Sequence, residues 1–193
     1  RVGYVLHGLN DFTQVIKKGA EDAGRELGID VEVTGPAGFV AAEAMGMFEA
    51  MVQKRKSGVV VVPQPGDVWV VPIQQAVAAG VPVVTANVTS EGSKAAAWFG
   101  QDEYQSGIIL ATELRRILEA SGKLEGRIIA GECLPGVSTL TNRYQGFKKG
   151  MEGSRYTLAG AFDVTPENTS NYAAWEHLLS GAKDIVAAVG LCS

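Results

Sequence analysis

The chain has 193 residues, 46% of them hydrophobic and 20% charged, enough apolar material to bury a real core in one large or two small domains. Its 17 basic residues are scattered among 21 acidic ones, the net charge is −4 and the pI is near 5.3, which excludes a nucleic-acid surface, because phosphate binding needs clustered Lys and Arg. No apolar run approaches the ~18 residues that cross a bilayer, so no direct membrane insertion is expected.

In chain order, short β-branched runs alternate with longer amphipathic stretches. VGYVL reads as a strand, followed by a helix from about Thr13 to Leu27; VEV is followed by a helix from about Val40 to Arg55; GVVVVP is followed by a helix from about Val68 to Ala79; then comes VPVVTAN. Strands that are continuous apolar runs are buried on both faces, and helices of about a dozen residues between them permit parallel crossovers, so a doubly wound parallel α/β sheet is expected. Gly28, Gly58 and Gly80 fall where these helices should stop, as left-handed C-caps. After AAAWFGQD a helix from about Tyr104 to Ala120 leads into a second βα series: GRIIAGECL and the helix RYQGFKKGMEG, YTLAGAFD and the helix Asn171 to Leu179, and DIVAAVGLC. VIKKGAED in the first half is echoed by GFKKGMEG in the second. Two Rossmann-like α/β lobes, 1–101 and 102–193, are the simplest reading, the second lobe incomplete because an apolar strand with no covering helix is a poor place for a sheet to end.

In open parallel sheets, ligands settle beyond the carboxyl ends of the strands. Those positions carry Asn10, Asp11 and Phe12; Gln64 and its neighbours; Asn87 and Thr89; then Gln101 and Asp102, Glu132 and Cys133, Phe162 and Asp163, and Cys192 and Ser193. Amides and carboxylates that pair with adjacent hydroxyls, with an aromatic face for the C–H side, suit a small neutral sugar or polyol. GxxxxGK[ST] and GxGxxG are both absent from the chain, so no nucleotide cofactor, and no cofactor of any kind, is expected.

Catalytic material is thin. His7 and His177 are the only histidines and have no motif-spaced Ser or Asp partner, and the GVS at 136–138 is not GxSxG. Cys133 as a nucleophile lacks a companion base, and no Cys/His spacing fits a metal. An enzyme is therefore not expected. Cys133 and Cys192 are read as small buried residues, the alternative being a disulfide because both may end neighbouring strands. Structural roles compete at the other positions as well. Asn10 and Asp11 suit a helix N-cap, Phe12 a hydrophobic staple, Asn87 and Asp102 turns, and the Met-rich AEAMGMFEAM core packing.

The order and spacing of several segments carry a resemblance over essentially the whole chain: the opening strand with Asn10-x-Phe12, the helix VIKKGAEDAGRELGI, VVVVPQPGD, AGVPVVTANV, the crossover FGQDEYQSG and the helix NRYQGFKKGME. Together they resemble the type I periplasmic binding proteins of sugar ABC transporters, the ribose-binding-like group. The resemblance implies two lobes that close over a solute and then dock on a membrane permease, in the periplasm or lipid-anchored outside the cell. It implies that Asn10 and Phe12 line the first lobe's wall, that Asn87 and Asp102 grip near the crossover, and that Thr141, Phe162 and Cys192 stand where the second lobe makes its contacts. Two departures argue against ribose itself. Asn87-Val88 stands where the group has Asp-Arg, and Thr141 stands where it has an arginine, although Arg143 is near. The group's members also continue well past Ser193. The rival reading is the effector-binding domain of a LacI-type repressor, which shares this architecture.

Overall fold

A computed structural model describes residues 1–181 and 183–192, which form two compact units, Arg1–Gly100 and Gln101–Ser193. In the first, β1 (Val2–Val5), α1 (Asp11–Leu27), β2 (Val31–Thr34), α2 (Ala41–Gln53), β3 (Gly58–Val61), a 3-10 turn (Gly66–Trp69), α3 (Val70–Ala78), β4 (Val83–Ala86) and β5 (Ala97–Phe99) follow one another. The sheet runs β2-β1-β3-β4-β5 with every pair parallel. Alternate strand residues face opposite sides, and both sides are covered. Val5, Val59, Val61 and Val83 pack with Phe48 of α2 and Ile73 of α3, while Tyr4, Val33 and Ala86 pack with Ile16 of α1. Trp69 is fully buried and meets Phe48 edge-on at 5.7 Å.

Two details differ from the pattern reading. Gly28 (φ 66°) caps α1 and Gly80 (φ 82°) follows α3, but Gly58 opens β3 and caps nothing. α2 has already ended at Gln53, and Arg55 takes the left-handed turn (φ 48°) in its place. The second difference is β5, which the segment AAAWFG hides because all three of its strand residues are exposed and it lacks alternation. It forms because β4 offers a free edge, with Thr85 opposite Trp98.

The second unit contains α4 (Glu103–Ala120), β6 (Gly126–Glu132), α5 (Ser138–Met151), β7 (Tyr156–Asp163), α6 (Asn168–Ser180) and β8 (Ile185–Gly190), with the parallel sheet β7-β6-β8. Ile128, Ala130 and Val189 pack with Ala111 of α4 and Phe147 of α5. α4 and α5 approach so closely that a Cβ on Gly107 would run into the Arg143 carbonyl, and one on Gly146 into that of Tyr104. Across this contact Arg143 binds the buried Glu103 (Nε to Oε2, 2.8 Å; Nη2 to Oε2, 2.7 Å) and also donates to the Leu191 carbonyl at the end of β8. A half-buried guanidinium with carboxylate and carbonyl partners has its donors satisfied, and the buried Glu103 is paired rather than isolated. On the other face of β6, Trp175 of α6 lies where a side chain at Gly131 would stand.

Cys133 and Cys192 are bonded to each other, which corrects the reading of two separate buried residues. β6 and β8 are neighbours with Gly131 opposite Gly190, so residues two positions on also fall opposite, with Cα atoms 6.1 Å apart. That pairing depends on strand order, which no short stretch of sequence carries.

Candidate functional site

Because every strand is parallel, each unit gathers its loops at one sheet edge. In the first unit that edge holds Asn10, Phe12, Gln64 and Asn87, following β1, β3 and β4. α1 begins at Asp11, earlier than the pattern suggests, and Asn10 is its N-cap in a reciprocal capping box: Oδ1 accepts from the Thr13 N–H and Thr13 Oγ1 accepts from the Asn10 N–H, both at 2.9 Å. Capping therefore uses the carbonyl oxygen of Asn10, while its NH2 is bonded to no protein group among the described residues. Phe12, in the first turn, leaves 40% of its surface open. Behind them His7 is buried against Phe39 (5.1 Å between ring centres) and Phe12 (6.3 Å). Burial pulls the His7 pKa down to about 4, so the ring is neutral at ordinary pH.

Gln64 is held by its backbone, whose carbonyl accepts from buried Trp69 Nε1 at 3.4 Å. Asn87 sits in the left-handed region (φ 60°); its N–H donates to the Phe99 carbonyl at 2.8 Å and its carbonyl accepts from Trp98 Nε1 at 3.1 Å. These backbone bonds leave the half-buried Asn87 amide without a partner among the described residues. The loops after β3 and β4 are tied by Ser90 Oγ donating to the Gly66 carbonyl at 2.6 Å. A hollow of about 240 Å³ lies under the second of them, lined by Thr85, Ser90, Ser93, Lys94 and Trp98 among others, and includes none of the four nominated residues.

In the second unit Asp102 is the N-cap of α4, its Oδ1 accepting from the Gln105 N–H at 2.9 Å. Thr141 is exposed in the first turn of α5. Phe162 leaves 39% of its surface open near the end of β7. Glu132 pairs in register with Asp163; burial first, and then the Asp163 charge, raise its carboxyl above the ordinary range. Tyr144, raised by burial and by Glu132, donates to the Gly160 carbonyl. Cys192 reaches this edge without a free thiol, its sulfur being bonded to Cys133, which also removes Cys133 as a nucleophile. Arg143, the cation nearest the missing arginine, is spent on Glu103 and Leu191. Ser193, named with the strand ends, lies outside the described residues. His7, weighed only as a base and set aside for want of a partner, and Phe39, not nominated at all, also stand at the first unit's edge. A lone histidine carries no motif, and Phe39 comes from a loop distant in sequence. Among the described residues no group of three or more His, Cys, Asp or Glu is placed to hold a metal, and no helix is long and apolar enough to cross a membrane.

A family profile described as "Periplasmic binding protein domain" matches residues 2–193. No curated protein sequence matches. Among solved structures, a solute-binding protein of an ABC transporter from Burkholderia graminis, in complex with D-arabinose, is 17% identical with a TM-score of 0.91, over 99% of this chain and 65% of its own. One from Agrobacterium vitis bound with α-D-tagatopyranose is 20% identical with a TM-score of 0.88, over 100% of this chain and 67% of its own. One from Actinobacillus succinogenes with bound D-allose is 21% identical with a TM-score of 0.87, over 98% of this chain and 68% of its own. The chain thus spans about two thirds of the length of these proteins and shares their type I periplasmic binding protein fold. They and the matched profile are binding proteins, not enzymes. With two parallel α/β sheets and a match from residue 2 to residue 193, the chain belongs to the periplasmic binding protein domain family.

Proposed function

We propose that this chain is part of a solute-binding protein of an ABC transporter, which captures a small neutral sugar or polyol between lobes 1–101 and 102–193 and delivers it to a membrane permease, in the periplasm or anchored outside the cell. The observation that carries the reading is the edge of the first sheet. There the NH2 of Asn10, the amides of Gln64 and Asn87 and the open face of Phe12 stand without protein partners among the described residues, on backbones held by hydrogen bonds. Uncommitted amides on rigid supports beside an aromatic ring suit a guest with hydroxyl groups and a C–H face. In this reading Phe12 and Phe162 stack on the guest, Asn10, Gln64, Asn87 and Thr141 bond its hydroxyls, and Asp102 and Glu132 accept from them. Cys192 contributes contact through its backbone and bonded sulfur. The solved relatives that hold D-arabinose, D-tagatose and D-allose support the same class of guest.

Titration calorimetry of the chain against D-allose, D-arabinose, D-tagatose and a set of polyols tests it. Saturable binding of one guest per chain, weakened by Phe12→Ala, is expected. A parent protein that binds none of them, or a Phe12→Ala variant with unchanged affinity, overturns the reading.

A further inference from the structure

Among the described residues, Nδ1 of His7 is the one buried side-chain polar atom with no hydrogen-bond partner. Buried polar groups are almost always bonded, so an orphan in a well-packed place calls for a reason. His7 is 7% exposed, two residues beyond β1, with its ring against Phe39 and Phe12. The next residue, Gly8, lies so close to the Gly38 backbone that a Cβ would come within 3.2 Å of its carbonyl. The tips of β1 and β2 are therefore in contact, and the ring sits between the residues they carry.

An N–H buried with no acceptor is worse than a lone pair with no donor, because an orphaned donor loses its one bond completely. The proton of the neutral ring therefore belongs on Nε2. That N–H bonds to no protein group among the described residues either, but unlike Nδ1 it is not among the fully enclosed unpartnered atoms, and Phe12, whose ring centre is 6.3 Å from that of His7, leaves 40% of its surface open. A packing role alone would be served better by an apolar ring.

We infer that His7 is a specificity residue of the sugar site, locked as the Nε2–H tautomer and donating from that nitrogen to an uncharged oxygen of the guest, with Phe12 and Phe39 as the aromatic walls of its subsite. This rests on the proposed function and deepens it. With His7 Nε2–H and the Asn10 NH2 both donating, this subsite takes a ring or hydroxyl oxygen and disfavours an ammonium group, so neutral sugars are preferred to amino sugars there.

The test uses protein labelled with ¹⁵N at histidine. Only His7 and the exposed His177 contribute signals. Long-range ¹H–¹⁵N spectra at neutral pH are expected to show His7 Nδ1 unprotonated and Nε2 protonated. Saturation with D-allose, D-arabinose or D-tagatose, whichever binds, is expected to move His7 Nε2 and leave His177 in place. In calorimetry His7→Phe is expected to lose at least tenfold in affinity, and His7→Gln, which keeps a donor, to lose less. A protonated Nδ1, an Nε2 signal unmoved at saturation, or a His7→Phe variant that binds like the parent overturns the inference while leaving the proposed function standing. A parent protein that binds none of the sugars overturns both. If His7→Phe does not fold, by circular dichroism, the spectra of the parent decide.

Discussion

Replacing both Cys133 and Cys192 with serine removes the cross-link between the ends of β6 and β8. The two are 59 residues apart in sequence, and closing a loop of that size lowers the entropy of the unfolded chain by about 14 cal/mol/K, or about 4 kcal/mol near room temperature. The loop lies entirely within the second unit, so the loss belongs to that unit. Urea unfolding followed by far-ultraviolet circular dichroism, on parent and Cys133→Ser/Cys192→Ser protein, reads the difference. A thiol-reductant should destabilise the parent and leave the double variant unchanged. The reasoning is refuted if the variant loses less than about 1 kcal/mol, or if unfolded, unreduced parent yields two reactive thiols.

Arg143→Met leaves the Glu103 carboxyl enclosed at the α4–α5 contact without its cation. It should cost about 3 to 5 kcal/mol in the same assay, and adding Glu103→Leu should restore much of the loss. Phe12→Ala and Asn87→Ala should each weaken sugar binding by about 1 to 3 kcal/mol without unfolding the first unit. Because Asn87 has φ 60°, Asn87→Ala should also cost about 1 kcal/mol of stability, whereas Asn87→Gly should weaken binding alone, and comparison of calorimetry with thermal melts separates the two effects. His7 has its pKa lowered from 6.5 to about 4 by burial. Between those values the unfolded chain binds a proton that the folded chain refuses, so stability is lost as pH falls through that window, by about 3 kcal/mol. A His7→Gln variant should lack this part of the acid sensitivity in melts recorded from pH 7 to pH 4.

The boundary of α1 shows how far local reading reaches. Asn10 and Thr13 carry a capping signal in their types and spacing, so the helix start can be found within a few residues, yet the same residue types are wanted by a ligand loop. Only the observed bonds divide Asn10 into a carbonyl used for capping and an NH2 left over. β5 was invisible because its three residues neither alternate nor bury themselves, and its partner strand decides its existence. Gly58 misled because glycine also opens strands, and the left-handed position fell to Arg55 instead.

Composition, the alternation of apolar runs with amphipathic stretches and the order of the loop residues determined the parallel α/β class and which polar residues follow its strands, because hydrophobic periodicity and chain polarity are properties of neighbouring residues. Tertiary structure alone decided the Cys133–Cys192 bond, the Glu103–Arg143 pair and the enclosure of His7 between Phe12 and Phe39. Each joins groups that only strand order and register, or the packing of one element on another, bring within a few ångströms. At that range burial and hydrogen bonding, not residue type, determine whether a side chain is free to meet a guest.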